Sequence, residues 1–229
     1  EPRRIALVGN PNAGKSALFN ALTGARQKIA NYPGVTVERK AGRMTLPTGE
    51  QVELTDLPGS YSLNATSPDE DVTRHVILGL FEGEPAPDVL VLVLDASNLE
   101  QHLVFALEII ELGRPTVIAL NMLDLAERDG LVIDPGALQS ALGVPVIPTV
   151  AVRRKGMTEL GRAIAGAEGR APGHPLPHTG GAERRLTARA IAEAAILSET
   201  ARHRIHVKMD RLLLHPWAGP VILLGLMFI

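Results

Sequence analysis

Short strand-like runs, several of them continuously apolar, alternate along this chain with longer segments in which apolar residues recur every three or four positions. The runs Arg4–Val8, Gln51–Thr55, Val89–Leu94, Thr116–Leu120 and Pro145–Thr149 predict strands, and Glu38–Leu46 predicts one more. Val89–Leu94 holds no polar residue, as expected of a strand covered on both faces. The segments Lys15–Leu22, Asp69–Phe81, Asn98–Leu112, Pro135–Leu142 and Thr158–Ala165 predict helices. Ser67-Pro68-Asp69-Glu70 marks a helix start, with a serine cap, a proline in the first turn and a glutamate three residues after the cap. Leu46-Pro47-Thr48-Gly49-Glu50 reads as a hairpin turn, so one edge strand should run antiparallel. This alternation predicts an α/β fold: a six-stranded, mostly parallel sheet with helices on both faces and ligands at the carboxyl ends of the strands.

After Ala165 the texture changes. Residues 1–165 read as the α/β domain and the Gly- and Pro-rich residues 166–182 as a linker. Residues 183–215 read as one amphipathic helix, a C-terminal extension with an apolar stripe at Leu186, Ala190, Ala194, Leu197, Ala201, Ile205, Met209 and Leu212. Residues 216–229 carry no charge and read as the start of a truncated transmembrane segment, with a buried terminal strand or helix as the competing reading. Trp217 would be an interfacial anchor there, and Arg202, Arg204, Lys208 and Arg211 a basic flank on the cytoplasmic side. His174 and His178 read as solvated linker side chains. His203 and His206 share a helix face but have no acidic neighbour, so they also read as solvated.

Composition narrows the class. At 229 residues the chain can bury a proper core beneath one domain and an appendage. A net charge of −2 and 3% aromatic residues argue against a nucleic-acid partner, which would call for a basic face or stacking platforms. The absence of cysteine excludes disulfides and thiolate metal sites and fits a reducing compartment. Arg3-Arg4 runs straight into the first strand, so a secretory leader is not expected.

Four motifs follow one another at predicted strand ends. Gly9-Asn10-Pro11-Asn12-Ala13-Gly14-Lys15-Ser16 is a phosphate-binding loop between a strand and a helix. Its glycines let the backbone curl so that N–H groups face a polyphosphate, with the helix dipole behind them. Lys15 should reach the β- and γ-phosphates and the Ser16 hydroxyl should ligate Mg²⁺. Asp56-Leu57-Pro58-Gly59 offers a carboxylate to the Mg²⁺ water shell and the Gly59 N–H to the γ-phosphate. In Asn31-Tyr32-Pro33-Gly34-Val35-Thr36, the Thr36 hydroxyl can complete the Mg²⁺ shell. Asn121-Met122-Leu123-Asp124 supplies a carboxylate for the N1–H and 2-amino donors of guanine; adenine lacks that donor pair and would leave a buried acceptor unpaired.

These motifs, with Tyr61-Ser62-Leu63 after Gly59, resemble the cytoplasmic G-protein region of the ferrous iron transport protein B family, most strongly over Ile5–Leu160. The resemblance implies a Ras-like P-loop GTPase at the cytoplasmic face of the bacterial inner membrane. Its expected partners are GTP and GDP, its own membrane-embedded iron-permeation domain, further copies of itself and small accessory iron-transport proteins. It extends the nucleotide site to Ala17, Gly34, Val35, Leu57, Pro58 and Met122, and to Val150-Ala151-Val152, where a backbone N–H near Ala151 would meet guanine O6. Met122 would pack its thioether on the base. The Mg²⁺ set is Ser16, Thr36 and Asp56, and Asn12 is implied as a K⁺ ligand standing in for an arginine finger. The family carries a helical domain of several helices, whereas only a linker and one clear helix follow Ala165 here. That shortening leaves open whether this chain keeps the family's control of nucleotide release.

For hydrolysis, Lys15 and Mg²⁺ held by Ser16 and Thr36 neutralise charge, Gly59 meets the γ-phosphate, and Asn12 holds the cation. Ser60 stands where many GTPases orient water with glutamine, and Arg26 and Arg39 are the nearest arginines that could swing in. Two other classes share the nucleotide motifs: a soluble GTPase acting on ribosome or RNA, and a switch that binds GTP without hydrolysing it.

Overall fold

The computed structural model describes residues 2–24, 27–32, 35–64, 67–81, 85–167 and 180–199. The chain runs β1 (Arg4–Val8), α1 (Lys15–Thr23), β2 (Gln27–Asn31), β3 (Glu38–Thr45), β4 (Gln51–Asp56) and α2 (Pro68–Leu78). It continues through β5 (Val89–Asp95), α3 (Leu99–Glu111), β6 (Thr116–Asn121), α4 (Leu123–Arg128), β7 (Leu131–Ile133), α5 (Pro135–Leu142) and β8 (Val146–Pro148). The last described elements are α6 (Met157–Gly166), α7 (Gly181–Ala195) and β9 (Ile196–Glu199).

The main sheet has the order β2-β3-β4-β1-β5-β6-β8. β1 pairs in parallel with both β4 and β5, and β6 in parallel with β5 and β8; only β2–β3 and β3–β4 are antiparallel. The motif-bearing carboxyl ends of β1, β4 and β6 therefore share one rim. The apolar run of β5 divides by parity: Leu90, Leu92 and Leu94 enter the core beneath α3, while Val89, Val91 and Val93 enter the core beneath α1 and α6. The expected serine cap is present, since Ser67 Oγ accepts the Glu70 N–H at 3.3 Å with Pro68 opening α2. The hairpin turn closes through Leu46 N–H on Glu50 O at 2.8 Å, with Gly49 at φ 87°.

Three expectations need correction. The sheet has seven strands rather than six, because Gln27–Asn31 adds an antiparallel edge beyond β3. All five residues of this strand are exposed, so no alternation of apolar and polar positions announces it. The continuous helix over 183–215 is also not observed, because α7 ends at Ala195 and Ile196–Glu199 pairs antiparallel with β7. The apolar stripe chosen from the sequence is on the wrong face as well: Leu186 is 70% exposed, whereas Ala188, Ala192 and Ala195 are buried against α3 and α5. Alanines at that spacing let the helix sit close to a bulky apolar surface. The expectations for His174, His178, His203, His206, Arg26 and residues 216–229 lie outside the described residues. No helix among the described residues is long and apolar enough to cross a membrane, nor do three or more His, Cys, Asp or Glu gather as a metal site.

Candidate functional site

The phosphate loop is shaped by close backbone approach. A Cβ on Gly9 would lie 2.5 Å from the Val93 carbonyl oxygen of β5, so a side chain cannot be placed where β1 ends. Gly14 has φ 85° and its Cβ would lie 2.3 Å from Asn121 Nδ2. Asn12 takes φ 65°, a left-handed conformation that asparagine tolerates better than most residues, so backbone geometry already favours it there. Its neighbours Asn10, Pro11 and Ala13 complete the loop, and Ala17 lies in the first turn of α1.

Lys15 and Asp56 are both only 8% exposed. Lys15 Nζ donates to the Gly9 and Asn10 carbonyl oxygens, each at 3.2 Å. Ser16 Oγ donates to Asp56 Oδ2 at 3.1 Å, which joins the start of α1 to the end of β4. Burial pushes the Lys15 ammonium below its usual pKa, partly offset by Asp56. Burial likewise pushes the Asp56 carboxyl up, opposed by Lys15, the Ser16 hydroxyl and Lys40. The other Asp56 oxygen, Oδ1, is buried without a hydrogen-bond partner, as is Asn10 Oδ1. A buried, unpaired carboxylate oxygen beside a serine hydroxyl is a donor set suited to Mg²⁺.

The loop after Asp56 is pressed onto the phosphate loop. A Cβ on Gly59 would come within 2.9 Å of Pro11, and the Ser60 N–H donates to Gly9 O at 3.3 Å. Leu57 is anchored by its N–H on Leu7 O at 3.1 Å, and Pro58 O accepts from Thr73 Oγ1 at 3.0 Å. Ser60 is buried and turns its hydroxyl to Ser62 O at 2.7 Å.

Asn121 knits three segments rather than serving only as the start of a base-reading motif. Its Nδ2 donates to Ala13 O at 3.1 Å, and its Oδ1 accepts from the Ala151 N–H at 3.0 Å and Thr149 Oγ1 at 3.5 Å. The Ala151 N–H, at the start of the short 3₁₀ turn Ala151–Arg153, thus donates to Asn121 at the end of β6. Val150 and Val152 flank it, Val150 buried and Val152 79% exposed. Met122, at φ 60°, opens α4 and lies over Gly14. Asp124 projects from the first turn of α4 with Arg153 Nη2 at 3.6 Å from its Oδ2.

The Thr36 segment is less closely tied in. Tyr32 is buried and stacks on Phe81 at 5.6 Å, and the bend is closed by the Tyr32 N–H on Val37 O and the Val35 N–H on Tyr32 O. No described hydrogen bond brings Thr36 to Ser16 or Asp56, and Gly34 lies outside the described residues. Arg39 is paired with Glu53 at 3.0 Å, on the sheet rather than at the phosphate loop. The sequence reading took Glu70 only as part of the α2 start, whereas its carboxylate also accepts the Tyr61 N–H at 3.2 Å, and it missed Glu108, which accepts the Leu63 N–H at 2.7 Å. It also missed His102, whose Nδ1 accepts the Asp95 N–H at 3.2 Å. Glu108 and His102 are polar residues on a helix, with no spacing signal to separate them from a solvated face.

A phosphate loop and an Asp-x-x-Gly loop at adjoining parallel strand ends, with an Asn-x-x-Asp turn beside them, define the Ras-like P-loop GTPase fold. The family model of ferrous iron transport protein B matches residues 3–164, and the chain belongs to that family. The Fe(2+) transporter FeoB of Salmonella typhimurium strain LT2 is 51% identical over 164 residues, which is 70% of this chain and 20% of that protein. This chain thus matches only about a fifth of the length of such relatives. The cytosolic domain of L. pneumophila FeoB superposes with TM-score 0.68 at 32% identity, covering 91% of this chain and 98% of that one. The G domain of T. maritima FeoB superposes with TM-score 0.65 at 42% identity, covering 73% and 99%. A cytosolic domain of T. maritima FeoB in GMPPNP form gives TM-score 0.69 at 32% identity, covering 90% and 92%.

Proposed function

We propose that this chain binds and hydrolyses GTP and couples that cycle to Fe²⁺ uptake by a larger membrane protein of which it is the cytoplasmic part. The observation that carries the reading is the buried Lys15–Ser16–Asp56 group, whose unpaired Asp56 oxygen calls for a cation on the rim where the phosphate loop begins. On GTP binding the Lys15 ammonium exchanges the Gly9 and Asn10 carbonyls for β- and γ-phosphate oxygens. The phosphate charge reverses the effect of burial and keeps the lysine protonated. Ser16 and Asp56 would hold Mg²⁺, with Thr36 joining them when the γ-phosphate is present. Mg²⁺ supplies charge neutralisation on the phosphates. Gly59 offers its N–H to the γ-phosphate, and its missing side chain lets that loop lie against Pro11. Asp124 reads guanine N1–H and the 2-amino group, which requires Arg153 to release it. A backbone N–H near Ala151 meets guanine O6 once Asn121 releases the Ala151 N–H.

Asn12 is exposed on the same loop, and its side-chain carbonyl fits one ligand of a K⁺ ion beside the β- and γ-phosphates. Charge that grows in the transition state would meet that cation, so K⁺ would raise the rate more than the affinity. The membrane-embedded remainder, with any accessory iron-transport protein or second copy, would contact this domain from the cytoplasmic face of the inner membrane.

Calorimetry with GTP, GDP and ATP, followed by single-turnover hydrolysis in Na⁺ and in K⁺, tests the reading. GTP and GDP should bind with Mg²⁺ and ATP should not. Hydrolysis in Na⁺ should be slow, on the order of 10⁻⁴ to 10⁻² per second, as for unassisted GTPases. Equal affinity for ATP would overturn the guanine assignment. Equal rates in the two salts, with Asn12→Ala no slower, would remove Asn12 from the cation site.

A further inference from the structure

The loop that follows Gly59 is held by a side chain from α3 that is itself held by the C-terminal helix. Glu108 Oε2 accepts the Leu63 N–H at 2.7 Å, and the two Glu108 oxygens lie 3.1 and 3.0 Å from Ser62 Oγ. On its other side, Glu108 Oε1 accepts from Arg184 Nη1 at 2.8 Å. The same guanidinium reaches Glu111, with Nη2 at 2.8 Å from Oε2 and Nε at 3.4 Å from Oε1. None of the three side chains is more than 13% exposed. Glu108 and Glu111 stand three residues apart on α3 and so lie on one face, where two nearly buried carboxylates repel unless a cation joins them. Arg184, from the first turns of α7, is that cation, and its planar fork also fixes their orientation. The helix that carries it is seated by Ala188, Ala192 and Ala195 and continues into β9, so the docking extends well beyond one ion pair.

We infer that Glu108 is a positioning residue for GTP hydrolysis, and that Arg184 makes its orientation depend on the docking of α7. The inference rests on the GTPase reading above. Glu108 touches neither phosphate nor base. It holds Ser62 and Leu63, and through them sets where Gly59 and Ser60 stand over the phosphate loop. The link works in both directions: a force on α7 shifts the loop, and a loop drawn in by the γ-phosphate tugs on Glu108 and hence on α7. The helix of the appendage thereby reads the nucleotide state at a residue the nucleotide never contacts.

The test uses the whole chain, five single variants, Arg184→Ala, Arg184→Lys, Glu108→Gln, Glu111→Gln and Ser62→Ala, and one double variant, with kcat and GTP affinity measured separately and each thermal midpoint recorded. Arg184→Ala and Glu108→Gln should lower kcat about tenfold while GTP affinity stays within about twofold, the pattern of a group acting only on the way to the transition state. Arg184→Lys should restore part of that loss. Glu111→Gln cuts the other half of the clamp, so it should lower the thermal midpoint and leave kcat within about twofold. Ser62→Ala combined with Arg184→Ala should slow hydrolysis no more than the stronger single variant, because both act through Glu108. Unchanged kcat in Arg184→Ala, or losses in all variants that merely track the thermal midpoint, would overturn the inference. If the unsubstituted chain does not hydrolyse GTP, the GTPase reading fails, and amide exchange decides the link by itself. The Leu63 N–H should then exchange faster in Arg184→Ala than in Glu111→Gln, and equal exchange would overturn it.

Discussion

The phosphate-loop rim and the α3–α7 face treat buried charge in opposite ways. At the rim, Lys15 is buried against carbonyl oxygens and Asp56 keeps one oxygen without a partner. At the α3–α7 face, Arg184 joins Glu108 and Glu111 in a set of short hydrogen bonds. Desolvation drives the Lys15 and Asp56 pKa values toward their neutral forms, whereas hydrogen bonding to Glu111 raises that of Arg184. The first arrangement is costly until something charged arrives, and the second is complete within the chain. That contrast separates a binding site from a structural joint more reliably than the amount of charge in either place.

The largest expected effect comes from emptying the rim. Lys15→Ala should weaken GTP binding by at least about 3 kcal/mol, more than a hundredfold, because two charge-assisted hydrogen bonds to phosphate are lost. The melting temperature of the nucleotide-free protein should hold or rise, since a poorly solvated ammonium disappears. Calorimetry paired with thermal melts checks this, and a large drop in melting temperature would mean that Lys15 holds the fold together rather than waiting for phosphate. Next in size, Asp124→Asn should reduce GTP affinity by roughly 1–3 kcal/mol by presenting a donor to guanine donors. An unchanged affinity in a fluorescent-GDP titration would move base recognition elsewhere.

A paired substitution on α7 probes the other side of the comparison. Ala188→Leu should destabilise the fold by about 1–3 kcal/mol through overpacking against α3, while Leu186→Ser on the exposed face should stay within about 0.5 kcal/mol. Urea unfolding of both variants distinguishes them, and the reverse ranking would mean that the leucine stripe is the packed face after all. The smallest effect concerns His102, buried beside Asp95 and held below its ordinary pKa mainly by burial. The unfolded chain takes up this proton at a higher pH than the folded one. His102 therefore contributes its full stability above the unfolded value of about 6.5 and loses it as pH falls through the folded pKa. Asp56 has the opposite sign, because the folded carboxyl protonates first and stability rises as pH falls through its raised pKa. Melting curves between pH 7 and pH 5 should thus show His102→Gln losing less stability on acidification than the unsubstituted chain.

The nucleotide rim was legible because each residue there answers a local demand that recurs along the chain. Gly9 and Gly14 permit close approach, Lys15 and Ser16 follow at set spacing, and Asp56 and Asn121 end apolar strands. The central strands β5 and β6 were equally plain, since burial on both faces leaves nearly unbroken apolar runs. β2 was invisible because its residues are all exposed and its place depends on backbone pairing with β3. α7 misled for a different reason: leucine weighs more than alanine in any periodicity, yet close packing selected the alanine face. Glu108 and Arg184 stand 76 residues apart in sequence, so no local pattern could announce their meeting.

The contact between Gly59 and Pro11 has a mechanical consequence. The two loops meet through bare backbone and a rigid ring, without a compliant side chain between them, and the Ser60 N–H is fastened to Gly9 O. Flexible side chains act as springs that absorb small displacements by changing rotamer, and this seam has none. Close-packed protein transmits strain rather than damping it. A shift of a few tenths of an ångström in the phosphate loop would therefore reach the Gly59 loop at nearly full amplitude, like motion passed between meshed gears.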